Sequence, residues 1–415
     1  MQLFSSRVYA DAAAATPLGK HAQNELTRLL FIYGNAGGLH KEALMAKREL
    51  EVARERVAQA IDAHMDEIIF TSGGTEANNM ALGGSVASLV GKYGKIHAIT
   101  LTIEHPSVLE PLRAMALEGH IELTELAVES DGRVSLDELK KAIRSNTGLI
   151  SIQLINSEVG TIQDIREIAK IVRHERRERI LPARALRAAR PSPTLASQDS
   201  LPLLLHTDAS QAPLWLPLRM EALGVDYMTL DGQKIMGPKG VGALYVRRGA
   251  PLSPVVFGGG QEKGLRSGTE NVPLIGSFAV ALLDAQEEVE KRAAYVAHVR
   301  NFLMKEICMR IPTATFFGAE DEWRVANNCS VRVPGLLGDI AVLGLDAEGI
   351  AASTRSACSS DDEAPSHVIR GLGFSPQIAR EAIRLTLLPT VTMGEAKHIA
   401  RALYNVVQLQ SRVIQ

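Results

Sequence analysis

The sequence predicts an α/β protein with a large domain on a mostly parallel seven-stranded sheet covered by helices, plus a smaller α+β domain. Two observations lead there. Short apolar runs recur through residues 67–247, with helix-period segments between most of them. Nearly continuous apolar strands joined by helices need cover on both faces, which is the pattern of a parallel sheet. In addition, the chemically suggestive motifs of that region fall at the carboxyl ends of the strands, where such sheets collect ligands.

In chain order the strands are EIIFT (67–71), KIHAITL (95–101), IELTELAV (121–128), LISIQL (149–154), LPLLLHTD (201–208), VDYMTLD (225–231) and GALYVR (242–247). After the loop FGGGQEKGLRSGTEN (257–271), a helical stretch over about 272–310 leads to strands near 328–333 and 383–388 and a terminal helix. These elements place the large domain at 17–288 and the small one at 1–16 together with 289–415.

The 415 residues are enough for a large core, and a net charge of -2 gives no general attraction to nucleic acid or to an anionic membrane. No apolar run approaches the roughly 18 residues of a membrane span. The start, MQLFSSRVYADAAAATPLG, does not read as a secretory signal, so the cytoplasm is the expected location. Cys308, Cys329 and Cys358 are too widely spaced for a disulfide framework or a zinc site, and no metal is expected.

SGGTEANN (72–79) follows the first strand and opens a helix, so Gly74 and Thr75 can cradle a phosphate with backbone N–H groups and a hydroxyl. A glycine turn capped by Thr75 is the plainer reading. His105, in TIEHPSV, ends the next strand, where its imidazole can lie over a ring and exchange protons near neutral pH. Asn156 in INSEVG and Gln211 in DASQAP also end strands; each either donates to a cofactor oxygen or satisfies loop backbone.

The sharpest pair is Asp208, in HTDASQ, and Lys234, in DGQKIMGPKG. A lysine ending one strand beside an aspartate ending its neighbour suits pyridoxal phosphate chemistry: the amine forms an imine with the coenzyme aldehyde and the carboxylate keeps the pyridine nitrogen protonated. Lys239 fits less well, because PKG reads as a turn. Cys358 lies in the small, polar stretch STRSACSSDDEAPSH, with Arg355 upstream to favour a thiolate, whereas Cys308 and Cys329 sit in apolar contexts. Arg384, in EAIRLTLL, begins an apolar strand, where a guanidinium needs a partner such as a substrate carboxylate or a structural carboxylate.

The ordered set YADAAAATP, YGNAGGLH, FTSGGTEANN, EHPSVLE, INSEVGTIQDI, HTDASQAP, DGQKIMGPKGVGALYVRR, GGGQEKGLRSGTENV and STRSACSS, closed by Arg384, resembles the cysteine desulfurases (the NifS/IscS-like group). These belong to the class V aminotransferases, fold-type I pyridoxal phosphate enzymes. The resemblance implies removal of sulfur from L-cysteine, giving L-alanine and a persulfide on Cys358 for iron-sulfur assembly or tRNA thiolation.

It further implies Lys234 as imine lysine, Asp208 under the pyridine nitrogen, His105 on the ring and Gln211 at the phenolate oxygen. Gly74, Thr75 and Gln233 would meet the phosphate, with Thr269 reaching it from the partner in a homodimer. Asn156, Arg384 and Asn35 would meet the substrate. A selenocysteine lyase, an aminotransferase or a non-catalytic docking subunit are the alternatives.

Four departures stand out. The family has serine and histidine where this chain has Asp231 and Gln233, and an ionised Asp231 would repel a phosphate dianion by several kcal/mol; replacing it with serine is expected to tighten coenzyme retention. LLPT (387–390) replaces a glycine-arginine step after the last strand, and YGNAGGLH lacks a proline-serine pair. Finally, ILPARALRAARPSPTLASQDS is an insertion. Residues 173–190 hold seven arginines against two glutamates, read as a solvated helix end before a Pro/Ser-rich loop rather than as a nucleic-acid site.

Overall fold

The computed structural model describes residues 7–189, 200–354 and 365–413. Its strands are β1 (Val8–Tyr9), β2 (Ile68–Thr71), β3 (Ile96–Leu101), β4 (Ile121–Leu126), β5 (Thr147–Ser151), β6 (Leu204–Asp208), β7 (Tyr227–Asp231), β8 (Gly242–Val246), β9 (Thr315–Phe316), β10 (Asn328–Arg332), β11 (Ile350–Ala351) and β12 (Ala382–Thr386). The seven apolar runs expected to be strands are β2 to β8, and they form one seven-stranded sheet in the order β2-β8-β7-β6-β5-β3-β4.

Every pairing in that sheet is parallel except those of β8, which runs against both β2 and β7. The reversal follows from chain length. A parallel return needs a dozen or more residues, and only residues 232–241 separate β7 from β8. The interior strands are buried on both faces: all six residues of β3 and all five of β5 are buried. That double burial is why their sequences read as apolar runs rather than as alternating patterns.

The helical stretch expected over 272–310 is two helices, Val272–Gln286 and Val289–Arg310. At the break Glu288 adopts a left-handed conformation with φ 48°. Arg292 caps the end of the first helix by donating to the carbonyls of Asp284, Ala285 and Glu287. A guanidinium there satisfies the carbonyls that a helix terminus leaves open.

The arginine-rich helix also differs from expectation, running from Ile165 through Pro182 to Ala189. Arg176 donates to Leu203 O at 2.7 Å and pairs with Asp226, while Arg179 donates to Thr147 O at 2.7 Å and Arg144 O at 2.8 Å. Two of the seven arginines therefore bind the helix to the edge where β5 and β6 begin. Residues 190–199 of the insertion lie outside the described residues.

The chain's start joins its end. β1 pairs with β11, Ala12 N–H donates to Thr386 O, and β9, β10 and β12 form a separate antiparallel sheet. The segment after β1 then crosses to the large sheet, where Thr16 N–H donates to Gln233 O at 2.8 Å. Residues 10–16 thus run along the carboxyl ends of β6 and β7. Among the described residues no helix is long and apolar enough to cross a membrane.

Candidate active site

A cavity of about 240 Å³ opens at the carboxyl edge of the large sheet, lined by Gly74, Thr75, His105, Asp208, Gln211, Gln233, Lys234 and Arg384 among others. Eight residues expected at the site from sequence therefore share one space. Lys239 is exposed in the turn before β8, which leaves Lys234 as the lysine of the site.

Lys234 stands in a 3₁₀ turn, Gly232–Lys234, directly after β7. Its Nζ donates to Ala13 O at 2.9 Å and Ala14 O at 2.5 Å. Thr16 holds the turn from outside: its Oγ1 donates to Gln233 O and accepts Met236 N–H at 2.7 Å. Met236 has φ 60°. A non-glycine residue in the left-handed region is sustained only by such surrounding contacts, and this one sits two residues from the amine.

Asp208 ends β6. Its carboxylate accepts the Asn78 Nδ2 donor at 2.8 Å and Ser210 N–H at 2.9 Å. The same Asn78 amide also donates to Ser107 Oγ at 2.8 Å, and Ser107 Oγ lies 2.7 Å from His105 Nδ1. Ser107 N–H also donates to Nδ1, so Nδ1 is the acceptor and the tautomer assigned from this network carries its proton on Nε2. Burial holds the imidazole below its ordinary pKa, opposed by the Asp208 charge. His105 is thus neutral at neutral pH, an apolar face with one polar edge.

Beside Lys234, Gln211 donates from Nε2 to Ala13 O at 2.9 Å. Gly74 begins the helix Gly74–Tyr93, whose N-cap, Gly73, has no side-chain cap and φ 149°. A Cβ added at Gly74 would lie 3.0 Å from Ser210 Oγ and 3.2 Å from Asp231 Oδ2. The absent side chain lets Ser210 and Asp231 close up on the helix start, and with Thr75 and Gln233 they line a cup of the cavity at the helix N-terminus, where backbone N–H groups favour an anion. Asp231 is inside this cup and only 7% exposed. It accepts Gln233 N–H at 3.2 Å and Gln233 Nε2–H at 3.1 Å.

Arg384, on β12, is 2% exposed and points into the same cavity. Its Nη2 donates to Asp11 Oδ1 at 2.8 Å and its Nη1 to Ser157 O at 3.4 Å, while Nε has no partner among the described residues. Of the two partners expected from sequence, the structural carboxylate is present, and Nη1 has only the long 3.4 Å contact to Ser157 O.

Three expected residues stand elsewhere. Asn156 is 2% exposed and does not line the cavity; its Nδ2 donates to Ile103 O, and its Oδ1 accepts Glu158 N–H and Val159 N–H. Of its two readings from sequence, the one with partners in this structure is the plainer, an amide that closes the loop after β5. Asn35 is exposed, accepts Gly37 N–H, and borders a separate hollow with Arg54 and Glu262. Thr269 is exposed in a third hollow beside Thr71 and Ser72. Its loop is anchored by Glu262, which binds Arg54 at 2.6 Å and Phe70 N–H at 2.9 Å. Cys358 and Arg355 lie outside the described residues. Cys329 is buried, its thiol pushed up to about 12 by burial, which makes it inert.

Sequence reasoning missed Asn78, Ser107, Asp11 and the carbonyls of Ala13 and Ala14. Asn78 had a signal, since it lies one helical turn after Gly74 inside the motif itself. Asp11 had none, because its partner is 373 residues away.

The aminotransferase class-V family model matches residues 8–180 and 195–398. Cysteine desulfurase IscS of Dictyoglomus turgidum is 37% identical over 402 residues, covering 97% of this chain and 94% of that protein. The chain belongs to the cysteine desulfurases of the class-V aminotransferase family. IscS of Methanosarcina thermophila is 35% identical with 97% and 92% coverage. A solved NifS-like protein superposes with a TM-score of 0.85 at 32% identity, covering 97% of this chain and all of the other. DndA from Streptomyces lividans superposes at 0.72 and 30% identity, over 90% of this chain and 98% of its own. Membership of this desulfurase family implies a pyridoxal phosphate coenzyme and an L-cysteine substrate.

Proposed function

We propose that this desulfurase takes sulfur from L-cysteine with the cavity residues in the following roles, and that it does so as a homodimer. The observation that carries the reading is the convergence of Lys234, Asp208 and His105 on one cavity whose rear wall is the anion cup at Gly74. The cup, the paired carboxylate and the amine fit pyridoxal phosphate. When bound, that coenzyme supplies an aldehyde for the substrate amine and an electron-accepting ring.

Lys234 is the residue that holds the coenzyme and, once displaced, moves the substrate α-proton; the carbonyls of Ala13 and Ala14 orient its nitrogen. Asp208, fixed by Asn78 and Ser210, keeps a positive charge on the ring nitrogen. His105, held neutral by burial, covers the ring and excludes water. Gln211 donates toward the phenolate oxygen, and Gly74, Thr75 and Gln233 meet the phosphate. Arg384 uses its unspent donors on the substrate carboxylate. Cys358 accepts the sulfur: an S–S bond forms, the substrate C–S bond breaks, and the three-carbon product leaves as alanine. Iron-sulfur assembly or tRNA thiolation would then consume the persulfide. A solved relative, SspA, was captured in complex with cysteine at 29% identity to this chain.

Apolar side chains left bare on one face support the dimer. Phe31, Tyr33 and Phe257 are 78%, 82% and 81% exposed, and residues 35–37 border the same hollow as residues 259–263. A second copy seated there would cover this patch and bring Thr269, and with it Asn35, toward the partner's cavity. The division into residues 17–288 and a smaller unit of 1–16 with 289–415 belongs to the same proposal, supported by the pairing of β1 with β11. The proposed location is the cytoplasm.

The test is direct. Protein incubated with L-cysteine and a reductant should release alanine and sulfide in equal amounts. Lys234→Ala and Cys358→Ser should each abolish sulfide release. Turnover of selenocysteine alone would redirect the reading to a lyase, and a colourless protein without turnover would leave a docking subunit.

A further inference from the structure

The anion cup contains an anion of its own. Gly74, Thr75, Ser210, Asp231 and Gln233 line the cup together, and a Cβ on Gly74 would meet Ser210 Oγ at 3.0 Å and Asp231 Oδ2 at 3.2 Å, so both groups sit directly against the helix start. Asp231 does not turn away to solvent. It is buried, its side chain caps the Gly232–Lys234 turn, and both of its hydrogen bonds come from Gln233, which carries no charge.

The groups around it come from four elements. Lys234 is on the same turn, His105 follows β3, and Asp208 ends β6. On the helix Gly74–Tyr93, Glu76 is committed to Arg266 and to Ser72 N–H. A phosphate dianion entering this cup would meet a carboxylate at contact range. The uncharged donors Gln233, Ser210 and the helix N-terminus would face both anions at once.

We propose that Asp231 makes this cup specific for a protonated phosphate: the coenzyme is taken up together with one proton, held in a hydrogen bond between a phosphate oxygen and the Asp231 carboxylate. The proton comes from solvent and forms the phosphate O–H, one O–H···O bond then replaces a charge repulsion, and no other covalent bond changes. The proposal rests on the coenzyme role given above. It goes further by assigning a specificity residue and a pH dependence to coenzyme binding.

The size of the effect follows from the second ionisation of a phosphate monoester, near pH 6. If only the protonated complex forms, the apparent dissociation constant rises as the competent fraction falls, about tenfold for each pH unit above that value. Between pH 7 and pH 9 the coenzyme should therefore bind roughly 100-fold more weakly.

The test uses the full chain freed of coenzyme and titrated with pyridoxal phosphate, followed by absorbance, between pH 6 and 9. Pyridoxal, which carries the aldehyde without the phosphate, is titrated alongside. The ratio of the two dissociation constants removes the pH dependence of the Lys234 amine, His105 and Asp208. That ratio should change about 100-fold from pH 7 to 9 in the natural protein and stay flat in Asp231→Asn and Asp231→Ser.

Calorimetry at pH 8, in two buffers of different ionisation enthalpy, should show about one more proton taken up by the natural protein than by either variant. Equal slopes and equal proton counts in all three proteins would overturn the role of Asp231 while leaving the coenzyme reading intact. Absence of a Lys234-dependent colour with either aldehyde would overturn the coenzyme reading itself.

Discussion

Asp11 and Arg384 form the ion pair on which substrate affinity should turn. Replacing Asp11 with asparagine leaves the guanidinium of Arg384, 2% exposed, facing Ser157 O at 3.4 Å and no carboxylate. Removing one partner of a buried ion pair costs about 3–5 kcal/mol, because the other charge stays buried and uncompensated. Asp11 retains 19% of its side-chain exposure, so the lower end, about 3 kcal/mol, is expected.

For a chain of this length that loss lowers the melting temperature by on the order of 5 °C. The same vacancy has an opposite consequence for ligands. A carboxylate arriving at Arg384 competes with Asp11 in the natural protein and meets no competitor in the variant. L-alanine carries the same carboxylate and amine without a thiol, so on the proposed function it would occupy the site with no C–S bond to cleave. It should bind Asp11→Asn more tightly, by up to roughly 100-fold if the whole 3 kcal/mol is recovered.

The assay is thermal unfolding of the coenzyme-loaded protein with and without saturating L-alanine. The expected result is a lower melting point for Asp11→Asn alone and a larger upward shift on adding alanine. An unchanged melting point, or alanine affinity that falls together with stability, would be the opposite result. Either outcome would mean that Asp11 does not share Arg384 with the substrate.

Gly74→Ala should weaken pyridoxal phosphate binding at least about tenfold, as the new methyl enters the cup beside Ser210 and Asp231. Unfolding of the coenzyme-free protein should change much less, because alanine suits a helix start and only Ser210 and Asp231 must shift to admit it; dissociation constants and melting curves check the two halves separately. Burial pulls the His206 and His97 imidazoles down to about 4 from an ordinary 6.5. Between those values the unfolded chain binds protons that the folded chain refuses, so stability should fall as pH drops from 6.5 toward 4. His206→Gln should reduce that slope, a difference of order 1.36 kcal/mol per pKa unit, read from urea unfolding at several pH values.

Much of the fold could be read from the chain because the sheet is buried on both faces. Burial on both faces leaves the runs around β3, β5, β6 and β7 rich in apolar residues and without the in-out alternation of a one-sided sheet, so that pattern marks them. The reversal of β8 was not marked by composition, since its direction depends on the shortness of residues 232–241 and not on its own side chains. The helix break at Glu288 went unseen for a related reason: Arg292 closes the first helix with carbonyl contacts that no glycine or proline announces.

At the site, residues adjacent to strand ends were legible, because topology brings those ends together. Lys234, Asp208, His105 and Gln211 are of this kind. Asn156 also follows a strand, yet its amide serves Ile103, Glu158 and Val159, and only the path of the loop decides that. Asp11 reaches Arg384 through a crossing of the chain's first residues that no local pattern encodes. Asp231 was visible as a charge in the wrong place, while its confinement in the cup with Gln233 needed coordinates.

On the proposed function, the side chain of Lys234 carries the coenzyme. The most direct measurement is borohydride reduction of the coenzyme-loaded protein, followed by proteolysis and mass spectrometry. The expected result is the reduced coenzyme mass on Lys234 alone, with the protein's yellow colour lost at the same time. Label on Lys239, or protein that carries no label and never had colour, would contradict the account.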